Sequence, residues 1–257
     1  MIMKIDSIMV SSMVSLEANA IYSIAFYMAL VVELPRRAIS QVSMPLIAEH
    51  FAQNRIADIQ VLYRQLSSRQ LYVCLLLFAL IWVNIDQIYH FVPNREIYQA
   101  GKWVVFFIGL GKIIDVAFSV NSEILVFSQY YRFNLILTVT MSVLIVLVNY
   151  WLIPIYGIEG AAIGSALVML GFNGIKFLYL KIKLGLNPFS GETLRIFLAG
   201  GLVVLFWLAN LGDIHPIGSL AIKSILVLIS YGLLSFLLKI GREEWGWIIK
   251  KVKTSGP

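Results

Sequence analysis

Ionisable side chains inside long apolar runs carry the strongest chemical signal in this sequence. Each costs about 2.5–3.5 kcal/mol on insertion scales, so such residues face a cavity or a partner. In VVELPRRAISQVSMP, Glu33 and Arg37 stand four apart on one helical face, Arg36 is adjacent, and Pro35 interrupts the hydrogen-bond ladder. Backbone groups freed there can be satisfied by water in a cavity. A structural reading stays open beside it, in which Glu33 and Arg37 neutralise each other and Arg36 has no partner on its own helix. In GLGKIIDVAFSVNSEILVF, Lys112, Ser119 and Glu123 fall within about 20° of one line at about 100° per residue, with Asp115 about 60° to one side. A Lys112–Asp115 pair is the structural alternative, and the length of the stripe favours a hydrated lumen.

Lys176 and Lys223 lie in later apolar runs, where snorkelling to an interface explains them as well as a substrate role does. Arg36, Arg37, Lys112, Lys176 and Lys223 together outnumber Glu33, Asp115 and Glu123, so the expected lumen is net positive. Such a cavity attracts an anion, and a phosphate or diphosphate suits the planar arginine fork. Arg36, Arg37 and Lys112 are therefore the candidate head-group contacts. Glu33, Asp115 and Glu123 are the candidate charge partners or ion-coupling sites.

No arrangement for catalysis is evident, and no enzyme activity or catalytic residue is expected. His, Cys, Asp and Glu nowhere take metal-ligand spacing, and GLGKIIDV lacks the GxxxxGK[ST] pattern of a phosphate loop. Neither a metal, a cofactor nor a nucleic-acid partner is expected, and nothing here binds ATP. The single cysteine, Cys74, lies in an apolar run and reads as a buried, inert thiol.

The elements that must hold these residues are transmembrane helices. The 257 residues are 60% hydrophobic and 13% charged, about half the roughly 25% charge of a soluble domain. A span needs about 20 apolar residues to cross a core about 30 Å thick. Apolar runs at 19–48, 70–91, 102–126, 133–154, 157–180, 194–211 and 217–240 predict seven full spans, after a partial one at 7–16. The expected fold is an all-α polytopic bundle over 1–240, followed by an interfacial amphipathic tail at 241–257 (REEWGWIIKKVK). Gly160 and Gly164 form a small face for close helix packing.

Alternate connections divide the basic residues unevenly. Arg55, Arg64, Arg69, Arg132, Lys181, Lys183, Arg195, Lys239, Arg242, Lys250, Lys251 and Lys253 fall on one side, and Arg95 and Lys102 on the other. Basic loops stay in the cytoplasm, which puts the C-terminus and the 50–69 connection there.

Several segments resemble one family, the polysaccharide-biosynthesis or O-antigen repeat-unit flippases of the multidrug/oligosaccharidyl-lipid/polysaccharide exporter superfamily. NYWLIPIYGIEGAAIGSAL at 149–167 carries the closest likeness, through Asn149, Pro154, Gly157, Gly160, Ala161 and Ala162. IDSIMV with Asp6, then AIYSIAFYMALVVELPRRAISQVSMPLIAEHFAQ and RIADIQVLYRQLSSRQL, follow in the family's order. The resemblance covers most of residues 5–185 and implies the second lobe of a two-lobed MATE-like transporter. It also implies that the chain is a fragment, or a half-protein needing a partner for the missing first lobe. The implied substrate is an undecaprenyl-diphosphate-linked oligosaccharide, flipped across a bacterial inner membrane during lipopolysaccharide, capsule or exopolysaccharide assembly. A cation-coupled multidrug exporter of the same superfamily and a non-transporting membrane subunit are the alternatives.

Overall fold

The computed structural model describes residues 2–208 and 215–241. The described residues are all-helical, with no strand among them. α1 (Ile2–Met13) and α2 (Leu16–Leu30) are joined by a tight turn in which Ser15 caps α2, accepting from the Ala18 N–H. A 3₁₀ turn (Val31–Glu33) leads into α3 (Leu34–Ala52), with Pro35 in its first turn, where the missing N–H costs least. Thus α2, the 3₁₀ turn and α3 form one 37-residue run, Leu16–Ala52, with its winding altered at Glu33. α4 (Ile56–Val83) follows after three residues, then α5 (Ile85–His90) and α6 (Arg95–Tyr98).

α7 (Lys102–Ala117) and α8 (Asn121–Phe127) are two halves of one broken helix, bent by 47°. The break falls at 118–120, a run of the weaker helix formers FSV, and Ser119 takes a left-handed φ of 50°. The freed carbonyls do not go unpaired: Ser67 Oγ donates to Ala117 O at 2.8 Å, and Arg36 Nη2 to Ser119 O at 3.3 Å.

α9 (Tyr131–Leu184) is two helical stretches joined at Gly157, whose φ 58°, ψ −135° is not helical. A straight helix would hold Leu152 and Gly160 about 12 Å apart along its axis. Instead, a Cβ built on Gly160 collides with the Leu152 carbonyl, and one on Gly164 lies 2.7 Å from Asn149 Oδ1 and 3.1 Å from Val148. The chain therefore folds back at Gly157 into two antiparallel limbs, and Gly160 and Gly164 line their seam. Each limb is about 40 Å long, enough to cross a hydrocarbon core. α10 (Gly191–Val204) opens on a Ser190/Thr193 capping box and runs into a 3₁₀ turn, and α11 (Pro216–Leu237) starts on a proline.

Among the described residues four helices are long and apolar enough to span, Leu16–Ala52, Ile56–Val83, Tyr131–Leu184 and Pro216–Leu237, with the bent α7–α8 pair a fifth when taken as one span. Of the seven full spans expected, the runs at 133–154 and 157–180 are the two limbs of α9, folded back at Gly157, and the run at 194–211 begins as a 14-residue helix whose far end lies outside the described residues. The connection expected over 50–69 shrinks to Gln53–Arg55, because Arg64 and Arg69 already belong to α4. Residues 209–214, and the tail from Arg242 with its basic cluster, lie outside the described residues.

α4 is the centre of the bundle. Its apolar window is 61% buried, against 22% for α9 and 17% for α11, whose exposed side chains are leucine, isoleucine, valine and aromatics suited to lipid. Around α4, Tyr22, Phe26, Leu71, Phe78, Trp82, Val105, Ile108 and Ile153 form the main core. A second cluster ties the ends of α3 and α9 to the start of α4 through Ile47, Ile59, Tyr63, Leu180 and Leu186. Gln60 and Arg64 donate to Asn187 O at this same end.

Candidate functional site

Glu33, in the 3₁₀ turn, is buried, and α7 presents Lys112 to it and Asp115 to Arg36. Between these elements, α1, α2 and α9 lies a cavity of about 500 Å³, within the roughly 300–1,000 Å³ of small-molecule sites. Asp6, Tyr22, Glu33, Arg37, Lys112, Thr138, Ser142 and Ser165 give it polar groups, and Phe26, Leu30, Ile108, Met141 and Met169 give it an apolar wall. A polar corner inside an apolar chamber fits a ligand with a charged head and a greasy remainder.

Glu33 is the hub of that corner. Lys112 Nζ lies 2.6 Å from its Oε2 and Arg37 Nε donates to its Oε1 at 3.2 Å, with Arg36 Nη1 farther off at 3.9 Å. The Arg37 side chain is 53% exposed while those of Glu33, Arg36 and Lys112 are at most 14% exposed. Arg37 is thus the cation with donors turned to open space. Arg36 points the other way, its Nη1 at 3.0 Å from Asp115 Oδ2, and it also caps the broken helix at Ser119 O.

The contacts form a ladder between α3 and the α7–α8 pair: Glu33 with Lys112, Arg36 with Asp115, Ser40 Oγ donating to Glu123 Oε1 at 2.9 Å. Residue numbers rise together on both sides, so the two segments run parallel. The Glu33–Arg37 pair read from the sequence is present, whereas Lys112 pairs with Glu33 rather than Asp115, and Arg36 takes its nearest partner from another helix. Below Asp115 the ladder continues into amides: Asn173 Nδ2 donates to Asp115 Oδ1 at 3.0 Å and Asn121 Nδ2 to Asn173 Oδ1 at 2.8 Å. Lys176 is buried and donates to Ser122 Oγ at 2.8 Å, so it turns inward and does not reach for an interface. Lys223 is likewise buried, away from the cavity lining.

A second acid was not singled out by charge spacing. Asp6 is fully buried, and its carboxylate accepts from Tyr22 Oη at 2.9 Å, Asn149 Nδ2 at 2.7 Å and Ser165 Oγ at 2.6 Å. These donors come from α2 and both limbs of α9, so Asp6 clasps α1 to the hairpin. Among the described residues no salt bridge reaches it. The sequence signal was present but scattered: Asp6 sits in the weakest apolar stretch, and Asn149 and Ser165 are isolated polar residues in two strong ones.

Asp6 also changes the charge balance. The cavity lining carries Arg37 and Lys112 against Asp6 and Glu33, two cations and two acids, where a net positive lumen was expected. Among the described residues no group of three or more His, Cys, Asp or Glu is arranged to hold a metal ion. Compared with known proteins, the chain matches no family model, no curated protein and no solved structure.

Proposed function

We propose that this chain is one lobe of a membrane flippase that moves an amphipathic substrate with an anionic head group. The observation that carries the reading is a pair of cations, Arg37 and Lys112, meeting at one wall of an otherwise largely apolar cavity inside a bundle of span-length helices. The head group would contact Arg37 and Lys112, while Arg36, tied to Asp115 and to the broken helix, holds the corner in shape. Glu33, Asp115 and Glu123 act as charge partners. The resemblance of residues 149–167 narrows the substrate to an undecaprenyl-diphosphate-linked oligosaccharide used in bacterial surface polysaccharide assembly. On the same reading the membrane is the bacterial inner membrane, the C-terminus is cytoplasmic, and a first lobe or partner half closes the open side of the cavity.

A cation-coupled exporter of the same superfamily is the second reading, and it gains from one observation. Two of the four charged cavity residues are acids, and among the described residues Asp6 accepts from the neutral donors Tyr22, Asn149 and Ser165. Complementation of a flippase-deficient strain, in the full-length context, separates the two. Arg37→Ala and Lys112→Ala are expected to abolish surface polysaccharide at unchanged membrane abundance. Full activity in both variants would sink the anionic-head-group reading.

A further inference from the structure

The Glu33 carboxylate occupies the position that an anionic ligand would need. One of its oxygens is 2.6 Å from Lys112 Nζ and the other accepts from Arg37 Nε at 3.2 Å, so both cations already share the one carboxylate charge of the chain itself. With Glu33 and Asp6 ionised, the cavity's four charges sum to zero, and a low-dielectric chamber with no net charge gives an anion little reason to enter. We propose that anion binding at this corner takes up one proton at Glu33, so that Glu33 is a tethered competitor whose protonation hands Lys112 and Arg37 to the ligand. The proposal rests on the head-group reading above and assigns it a coupling step: head-group entry accompanied by a proton, head-group exit by its loss. The proton goes to a Glu33 oxygen, no covalent bond to the ligand forms, and with a doubly charged diphosphate diester bound the cavity carries one net negative charge instead of two.

The surroundings of Glu33 single it out for this role. From α3 it is faced by Arg36 and Arg37, from α7 by Lys112 and, across Arg36, by Asp115; Cys74 of α4 is the nearest thiol, and Asp6 and Tyr22 share the cavity. Asp115 is engaged by Arg36 and Asn173 behind the wall, and Asp6 is occupied by three donors. Among the described residues, only the Glu33 oxygens lie on both cavity cations.

The test is binding of a water-soluble diphosphate diester, P1-citronellyl-P2-glucosyl diphosphate, to the purified full chain in detergent, because its own charge stays fixed over the range used. As pH falls from neutrality towards the ordinary glutamate range near about 4.3, affinity is expected to rise by up to about tenfold per unit. Calorimetry in buffers of different ionisation heat should show uptake of about one proton. Glu33→Gln, which keeps the shape without the charge, should bind tightly at neutral pH with a flat profile and no uptake. Glu33→Asp should restore the slope. A Glu33→Gln variant with the wild-type slope and proton uptake overturns the proposal while leaving the head-group reading intact. Binding by neither protein at any pH overturns both.

Discussion

Arg36 lies 3.0 Å from Asp115 with its side chain 13% exposed, whereas Arg37, one residue later, keeps 53% of its side chain open. The two neighbours should therefore answer mutation differently. Arg36→Ala strands Asp115 and uncaps the Ser119 carbonyl, and breaking a buried pair in this way costs about 3–5 kcal/mol. Thermal unfolding in detergent should show that loss. Arg37→Ala removes a half-open partner and should stay within about 1 kcal/mol of wild type by the same measurement. The sequence offered Arg37 its partner Glu33 one turn away but none for Arg36, because the partner of Arg36, Asp115, comes from another helix. What it did show was that Glu33, Arg36, Arg37, Lys112, Asp115 and Glu123 are out of place in lipid. Pairing between helices was beyond it, and so was the clasp at Asp6, whose donors are separated from it by as many as 159 positions. Asp6→Asn retains the shape but loses the charge-assisted acceptor. It is expected to lower the unfolding temperature of the chain by weakening three contacts between α1 and its neighbours.

At the scale of elements, two interruptions matter more than helix lengths. Gly157 adopts φ 58°, ψ −135°, a region that residues with a Cβ enter only at about 1–3 kcal/mol. Gly157→Val should open or loosen the α9 fold-back, read as increased protease cleavage near the turn. Gly160→Leu should be worse, since its side chain meets the Leu152 backbone at the seam. Turn chemistry at Pro154 and Gly157 made this division legible from sequence. The α7–α8 break was not, as no proline or glycine marks it: it depends on Ser67 and Arg36 accepting the role of partners to freed carbonyls, which only packing can arrange. For the same reason the helical start of α4 reads as a basic loop in sequence, since Arg64 is exposed there while Tyr63 and Leu66 are buried.

For the molecule as a whole, an apolar rim around a buried α4 predicts retention in the membrane pellet after alkaline carbonate extraction, and release into the supernatant would contradict the membrane reading. Composition alone was enough for this, because a chain with 13% charge has too little polar surface to face water. The ladder between α3 and the α7–α8 pair adds a constraint on motion. Its rungs, 33 with 112, 36 with 115 and 40 with 123, are about one helical turn apart along α3, and the first two are also about one turn apart along α7, while the α7–α8 break lies between 115 and 123. Sliding one segment past the other by a turn would set Glu33 against Asp115, or Arg36 against Lys112. Like charges at that distance inside a bundle are costly, so the ladder is keyed to a single register. Helix ratcheting is thereby closed to this pair, and any excursion between states must carry the two segments together as one rigid arm, with Arg36 and the Ser40–Glu123 rung pinning the bend at Ser119 to α3.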